Sequence, residues 1–286
     1  MFAHADDETL LAGTLLSKLA SEGHEVRVLC LAPGDEDRTA RLHAACKELG
    51  VSGVETLRYF EGAMWPDESD GAESEIPLKL STAPIADLVA GISGRVAEFG
   101  PDVVITHSSY GDYGHADHAA TSNAVQLVVQ KIVVAGNSAV RLYLLEWPRW
   151  VVRLNARLMK IGGRDIRRMG EDGRFNLLTA LRAPDDNQVA ISVVKQLAAR
   201  RKASRLYAPE IARGPLPMRM LERAPLWLQR FFLGNARLRL VVGLDEFDGS
   251  AAAVATVVVS GERGERGITH SLTHSPTHPL THSLTH

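Results

Sequence analysis

The stretch Ala3-His4-Ala5-Asp6-Asp7-Glu8 decides the fold, because a dense polar cluster follows directly on the apolar start Met1-Phe2-Ala3. In α/β proteins such a cluster lies past a buried strand, at the carboxyl edge of a parallel sheet, where ligands bind. A full strand has about 5–6 residues, so the sequence predicts a first strand that is truncated or very short. His4, Asp6 and Asp7 also offer the ligand and base types of a hydrolytic Zn²⁺ site.

The chain beyond this cluster alternates between helical and strand patterns. Apolar periodicity and β-branched runs predict helices over 9–22, 38–49 and 85–99, and strands over 25–32, 54–59 and 103–106. Short links between successive strands and helices favour a parallel sheet with helices on both faces. We therefore predict an α/β fold, a Rossmann-like three-layer sandwich with a mainly parallel sheet.

The pattern is weaker towards the C-terminus. It predicts helices over 115–135 and 187–206 and strands over 141–147, 238–244 and 251–259. We expect one domain over residues 1–262, with a Rossmann-like core at 1–147 that residues 148–262 complete. Residues 263–286 repeat Thr-His-Ser-Leu and its variants, and such low complexity predicts a disordered tail.

Composition narrows the class of protein. The 286 residues carry a net charge of −2 and include no run of 18 apolar residues, so we expect neither a nucleic-acid partner nor a membrane span. Cys30 and Cys46 form no CxxC pair and lie in apolar segments, which favours reduced core thiols in a cytoplasmic protein.

The charge is unevenly distributed along the chain: residues 1–140 have a net charge of −12 and residues 141–240 of +13. This asymmetry indicates either two complementary parts of one fold or a basic side that faces an anionic substrate.

A second polar cluster, Gly114-His115-Ala116-Asp117-His118, follows the predicted strand over 103–106. The carboxyl ends of parallel strands share one edge of a sheet, so we expect it to meet the first cluster. His115 and His118 are three residues apart, a spacing that places both on one side of a helical turn. Each cluster alone could instead be a polar helix N-terminus with capping carboxylates.

The motifs AHADDE and GHADH resemble the signature of the LmbE/PIG-L family, zinc-dependent deacetylases of N-acetylglucosamine-type conjugates. The segment GPDVVITH before the second motif is also similar to a strand of that family. The resemblance is specific over residues 1 to about 130 and weak over about 180–210. Ala5 and Ala116 stand where the family usually has proline, and Arg41 stands where it usually has glutamate.

The resemblance implies a zinc ion, a general base, an acid or oxyanion-stabilising group and substrate contacts. The implied metal ligands are His4, Asp7 and His118. The implied catalytic residues are Asp6 as the general base, His115 at the oxyanion or leaving amine, Asp117 orienting a histidine, and Tyr113 at the carbonyl. The implied substrate-binding residue is Arg38. The expected activity is removal of an acetyl group from a small amino sugar conjugate by activated water. The basic second half of the chain would suit an anionic conjugate.

Two alternatives stay open from the residues. One is a family member that binds metal or sugar without turnover, which the short first strand would favour. The other is a different metallohydrolase such as a phosphoesterase, although two-metal phosphoesterases need more ligands than these two clusters offer.

Overall fold

The structure is a computed structural model that describes residues 1–68, 78–137, 139–182, 188–214 and 216–242. The described residues belong to one compact unit. The predicted strand over 251–259 and the predicted tail over 263–286 lie outside the described residues. The domain boundary at residue 262 therefore stays a prediction.

The N-terminal part of the chain forms a parallel sheet of three strands. The strands are β1 (Phe2–His4), β2 (Arg27–Ala32) and β3 (Gly53–Thr56), in the order β1-β2-β3. The helices between them are α1 (Asp7–Leu10), α2 (Gly13–Ser21) and α3 (Glu36–Leu49). Helix α3 has well-defined ends: Asp35 accepts a hydrogen bond from the Arg38 amide, and Gly50 closes the helix at φ 82°.

The second sheet contains four strands. They are β4 (Val103–Thr106), β5 (Arg141–Leu145), β6 (Gln188–Ser192) and β7 (Asn235–Val242), in the order β4-β5-β7-β6. Strands β4 and β5 are parallel, and β7 runs antiparallel to both β5 and β6. Helices α4 (Ile85–Phe99) and α5 (Ala116–Val134) flank β4 along the chain.

Strand β1 adjoins β4, so the two sheets meet edge to edge. The Met1 amino group donates to the Ile105 carbonyl at 2.6 Å, and Thr106 Oγ1 donates to the Met1 carbonyl at 2.9 Å. The chain leaves β1 towards β2 on one side, whereas β4 and β5 follow on the other. This is a topological switch point, where open α/β sheets leave a crevice at the carboxyl ends of their strands.

Apolar side chains fill both sides of this sheet arrangement. One core cluster joins β2 and β4 to α4 and α5, and another joins β1 and β2 to α2 and α3. The α/β fold with helices on both faces is therefore confirmed. Cys30 and Cys46 are buried free thiols in the second of these clusters, as the sequence predicts.

The helix predicted over 9–22 is wrong as a single element. It begins earlier, at Asp7, and is interrupted between α1 and α2 at Leu11 and Ala12. The Leu11 amide bonds to the Asp7 carbonyl, and the Ala12 amide reaches the same carbonyl at 3.3 Å. The shared acceptor ends the first helix and redirects the chain.

The helix predicted over 187–206 is wrong in its first half, where the chain forms β6. Val189 and Ile191 alternate with smaller residues, and β6 pairs with β7 from Gln188 to Ser192. Cross-strand pairing outweighs the weak helical period there. The α-helical part begins only at Leu197, with helix α8 (Leu197–Ser204).

The remaining helices lie in the C-terminal half. They are α6 (Arg149–Ile161), α7 (Leu177–Ala180), α8 (Leu197–Ser204), α9 (Ala208–Arg213), α10 (Leu216–Arg223) and α11 (Leu226–Leu233). A third apolar cluster contains Trp65, Tyr110, Val152 and Leu177, and so ties α6 and α7 to the loop that follows β4. Among the described residues, no helix has the length and apolar character that crossing a bilayer requires.

Candidate metal centre

The two polar clusters meet at the junction of β1 and β4. His118 Nε2 lies 3.2 Å from His4 Nδ1 and 3.3 Å from Asp7 Oδ2. His4 Nδ1 lies 3.4 Å from the same Asp7 oxygen. All three side chains are buried. One donor atom from each of the three residues therefore faces a common point.

Each of the two histidines is oriented by a buried carboxylate on its far side. His4 Nε2 lies 2.8 Å from Asp117 Oδ2, and His118 Nδ1 lies 2.8 Å from Asp112 Oδ2. An ionised carboxylate only accepts, so these outer nitrogens carry the protons. In the neutral rings the inner nitrogens then have free lone pairs, the arrangement that metal-ligating histidines show in proteins.

His107 and Asp112 extend the cluster, and the sequence prediction did not include them. His107 Nδ1 lies 2.6 Å from Asp112 Oδ2, and its Nε2 accepts a hydrogen bond from the Ala3 amide at 2.8 Å. Its ring stacks on His118 with a centroid separation of 4.0 Å. Since both His107 nitrogens are engaged, this residue supports Asp112 and β1. The only feature of the sequence that pointed to His107 was its position directly after β4.

The turn that carries the second motif depends on glycine. Gly111 has φ 70°, and a Cβ there would lie 2.2 Å from the His115 carbonyl oxygen. Asp112 also has a positive φ, 59°. Backbone in this region is favourable for glycine and tolerated by aspartate. The tight turn places Asp112 beneath His118.

His115 and Tyr113 complete the near side of the centre. The His115 ring stacks on His118 at 4.9 Å, and its Nδ1 accepts from the Asp117 amide at 3.3 Å. Tyr113 packs edge-on against His118 at 5.2 Å and is 38% exposed. Tyr113 therefore stands between the buried histidines and solvent.

Asp6 occupies a strained position beside the three donor atoms. Its φ is 131°, which is rare for a residue with a Cβ. Arg38 fixes this segment: it donates from Nη2 to Asp6 Oδ2 at 3.1 Å, from Nε to the Ala5 carbonyl at 2.8 Å and from Nη1 to Glu61 at 2.6 Å. Arg38 thus lies against the base position, and three of its N–H groups are already engaged within the protein.

Glu8 holds the other side of Asp6. Glu8 Oε2 accepts from the Asp6 amide at 2.9 Å, and Glu8 Oε1 accepts from Thr9 at 2.6 Å and from Tyr207 at 2.8 Å. The Glu8 side chain is fully buried. Tyr207 lies between α8 and α9, and no local sequence signal connects it to the first motif.

The electrostatics follow from burial and from these pairs. Burial disfavours charged His4, but Glu61, Asp117 and Asp7 outweigh it and raise the pKa of His4 well above its usual value. Burial opposes ionisation of Asp7, yet the neighbouring His118 and His4 lower its pKa well below the usual value. A cation is therefore favoured at this point.

The remaining shifts separate the roles of the side chains. Burial raises the pKa of Asp6 well above its usual value, and the adjacent Asp7 carboxylate raises it further. Arg38 lowers the pKa of Asp6 but does not outweigh these two effects. Burial, with His4 and His118, lowers the pKa of His115 to about 3. His115 is therefore neutral in the metal-free protein.

The donor set fits zinc. Donors around a tetrahedral zinc ion with bonds of about 2.0–2.1 Å lie roughly 3.3 Å apart. The separations of 3.2, 3.3 and 3.4 Å among His118, His4 and Asp7 agree with this value. Two further sets, which share His118, have ligand atoms within 4.8 Å of one another: His4, His115 and His118, and Asp7, His107 and His118. Hydrogen bonds at His107 Nε2 and His115 Nδ1 leave those two residues less suited to bind the ion.

Two histidines and a carboxylate are a donor set that catalytic zinc sites use, and this set lies at the switch point, where open α/β sheets bind ligands. Residues 1–129 match the family model PIG-L, described as GlcNAc-PI de-N-acetylase. This match confirms, over residues 1–129, the resemblance of the two motifs to the PIG-L (LmbE) family.

Two bacterial relatives illustrate the similarity in sequence; both are named 1D-myo-inositol 2-acetamido-2-deoxy-alpha-D-glucopyranoside deacetylase. The protein from Mycolicibacterium gilvum is 30% identical over 148 residues, 45% of this chain and 52% of its own length. The protein from Mycolicibacterium smegmatis is 28% identical over 243 residues, 74% of this chain and 79% of its own. The chain thus spans about half the length of the first relative.

Solved structures share the fold at low sequence identity. A zinc-inhibited form of teicoplanin deacetylase has a TM-score of 0.53 at 18% identity, covering 86% of this chain and 99% of its own. N,N'-diacetylchitobiose deacetylase from Pyrococcus horikoshii has a TM-score of 0.52 at 15% identity, covering 85% and 82%. A 4-carboxy-2-hydroxymuconate hydratase from Pseudomonas putida has a TM-score of 0.51 at 16% identity, covering 85% and 95%. The fold alone therefore serves more than one reaction.

Proposed function

We propose that this protein is a zinc-dependent hydrolase that removes the acetyl group from an N-acetylglucosamine-type conjugate. The observation that carries the proposal is the convergence of His4 Nδ1, Asp7 Oδ2 and His118 Nε2 within 3.2–3.4 Å of one another. Three protein donors leave a fourth position open, as catalytic zinc sites do. The relatives named as deacetylases of an acetamido-glucosyl inositol make that compound the first substrate to test.

The proposed metal ligands are His4, Asp7 and His118, as the sequence predicts. A zinc ion held there would lower the pKa of a water molecule to about 7 and polarise the acetyl carbonyl. Asp117 and Asp112 fix the two ligating rings by accepting their outer N–H groups. Asp117 thus fits its predicted role of orienting a histidine, and Asp112 performs the same task for His118.

Asp6 is the proposed general base. Its carboxylate stands beside the ligand Asp7, and Arg38 holds it at 3.1 Å. Asp6 takes a proton from the attacking water and passes it to the amine nitrogen as the C–N bond breaks. Its raised pKa lies nearer to neutral pH, where a proton-transfer group is effective. Arg38, predicted to bind substrate, also positions this base.

His115 is proposed to stabilise the oxyanion. Its Nδ1 accepts from the Asp117 amide, so the proton of the neutral ring sits on Nε2 and is available to the developing negative charge. Because the pKa of His115 is low, its ring is neutral before the reaction. It therefore suits hydrogen-bond donation to the oxyanion better than proton donation to the leaving amine. Tyr113, which is 38% exposed beside His118, is proposed to contact the acetyl carbonyl.

Substitution at two positions tests the proposal. Asp6→Asn should keep zinc and lower kcat by about 10²–10⁴-fold, the usual contribution of a general base. His118→Ala should lose both zinc and turnover. Zinc content by atomic absorption and amine release from N-acetylglucosaminyl-inositol give the two readouts, and the surface variant Asp102→Asn is the control.

The outcomes also separate the alternatives. Zinc binding without amine release from a panel of N-acetylglucosaminyl conjugates would indicate a binding protein. Two zinc ions that both depend on His118 would indicate a phosphoesterase-like centre. Normal turnover by Asp6→Asn would overturn the assignment of the base.

A further inference from the structure

Helix α6 carries an exposed apolar stripe beside a row of basic side chains. Trp150 is 63% exposed, Leu154 48%, Leu158 54% and Ile161 83%. At 100° per residue these four fall within a sector about 80° wide. Arg153, Arg157 and Lys160 are also exposed and occupy the adjoining sector, about 60° wide. A folded chain rarely leaves such a stripe without a partner.

The opposite face of α6 is firmly attached to the fold. Val152 and Ala156 are 3% and 5% exposed and pack in the cluster that contains Trp65 and Tyr110. Helix α6 therefore already packs on the core through this face, and the exposed stripe lies on its other side. Helix α6 also begins four residues after β5 ends, at the same edge of the sheet as the candidate metal centre.

The charge beside the stripe indicates the chemistry of the partner. Within the part of the chain that the structure describes, Arg153, Arg157 and Lys160 form no ion pair. Arg167 and Arg168, just beyond the helix, are exposed as well. An apolar face with tryptophan and leucine beside a lysine and arginine face is the pattern of helices that lie in the interface of an anionic membrane. A neutral protein surface would leave these charges without complement.

We propose that α6 is a membrane-surface helix that binds an anionic lipid bilayer. The stripe formed by Trp150, Leu154, Leu158 and Ile161 would enter the acyl boundary, and Arg153, Arg157 and Lys160 would contact lipid phosphates. The helix is about 20 Å long, long enough to lie along a bilayer surface and too short to cross it. The surface would bring the carboxyl edge of the sheet close to the membrane.

Vesicle co-sedimentation of the full chain tests the proposal without any assay of activity. Binding to vesicles of phosphatidylcholine mixed with phosphatidylglycerol is expected, with little binding to phosphatidylcholine alone and weakening as salt rises. Ile161→Asp should weaken binding at least about tenfold. Val134→Asp is the matched control, because Val134 is 82% exposed and is also the last residue of its helix.

Removing positive charge from α6 tests the membrane proposal independently of the apolar stripe. Arg153→Gln with Arg157→Gln should weaken binding by about tenfold or more. The control Lys131→Gln with Arg205→Gln removes the same charge from other exposed positions. A blue shift of tryptophan emission with vesicles should vanish in Trp150→Phe.

Three results would overturn the proposal. They are equal binding to neutral and anionic vesicles, unchanged binding by Ile161→Asp, and a dimer in light scattering that Ile161→Asp dissociates. The last result would assign the stripe to contact between two copies of the chain.

Discussion

The Tyr207 hydroxyl donates a hydrogen bond to Glu8 Oε1 at 2.8 Å, across 199 residues of sequence. Both side chains are fully buried. Glu8 in turn accepts from the Asp6 amide, so the C-terminal half of the chain supports the strained residue that we propose as the base. The match to the family model ends at residue 129 and does not include Tyr207.

Tyr207→Phe should therefore affect both stability and turnover. Loss of one donor to a buried carboxylate costs about 1–3 kcal/mol in the free energy of unfolding. We expect a lower kcat with unchanged zinc affinity and unchanged KM, because Glu8 acts on Asp6 and not on the metal ligands. Tyr143→Phe is the control, since Tyr143 packs against the same core cluster. An unchanged kcat in Tyr207→Phe would leave the pair with a structural role alone.

Asp112→Asn should weaken zinc binding. Asp112 Oδ2 accepts from both His118 Nδ1 and His107 Nδ1, so it sets the ring position of one proposed ligand. Loss of such a partner typically lowers metal affinity about 10–100-fold. Competition with a chromophoric chelator measures the change, with Asp102→Asn as the surface control. Affinity equal to that of the parent protein would show that Asp112 does not orient His118.

Zinc should stabilise the folded chain. Binding to the folded state alone adds about 2.7 kcal/mol when free zinc is 100 times its Kd. The melting temperature should therefore rise with zinc, fall again with chelator and show no rise in His118→Ala. His43→Ala is the control because His43 is exposed and far along the chain from both motifs. Residues 270–286 carry five more histidines, and a rise that persists in His118→Ala would assign the effect to them.

Zinc binding should also release a proton. His4 is favoured in its protonated form in the metal-free protein, since Glu61, Asp117 and Asp7 raise its pKa despite burial. A ligating imidazole must be neutral. Zinc affinity is therefore expected to fall as pH falls, and calorimetry in buffers of different ionisation enthalpy measures the released proton. No proton release at neutral pH would contradict the ligand role of His4.

Glu8 should make the metal-free protein less stable as pH rises. Burial raises its pKa from 4.5 to about 7, even though Thr9, Asp6 and Tyr207 all donate to it. Between these two values the folded chain holds a proton that the unfolded chain has lost. The contribution of Glu8 to stability is thus fully present below about pH 4.5 and is lost as pH rises through about 7.

Glu8→Gln removes this titration and keeps a neutral side chain of the same shape. The fall in unfolding free energy between pH 5 and pH 8 should shrink by about 2–3 kcal/mol in chemical denaturation with chelator present. Glu25→Gln is the control at an exposed carboxylate. A parallel pH dependence in Glu8→Gln and the parent protein would rule out a buried protonated Glu8.

The sequence by itself determined the α/β class, most of the N-terminal helices and strands and the meeting of the two motifs. These depend on local signals: a helical period, short strands such as β4, and polar residues directly after strand ends. The chemistry of the motifs followed for the same reason, since His4, Asp6 and Asp7 lie within four residues and His115 and His118 within four more.

Only the tertiary structure decided which partners complete these residues. The pairing of β6 with β7 replaced a predicted helix, because hydrogen bonds to a distant strand outweigh a weak local period. Asp112, which also bonds His107, sets the tautomer of His118, and Tyr207 donates to Glu8 across 199 residues of sequence. The β6–β7 pairing and the Tyr207–Glu8 bond join residues that the chain separates widely, and a pattern of near neighbours carries no trace of them.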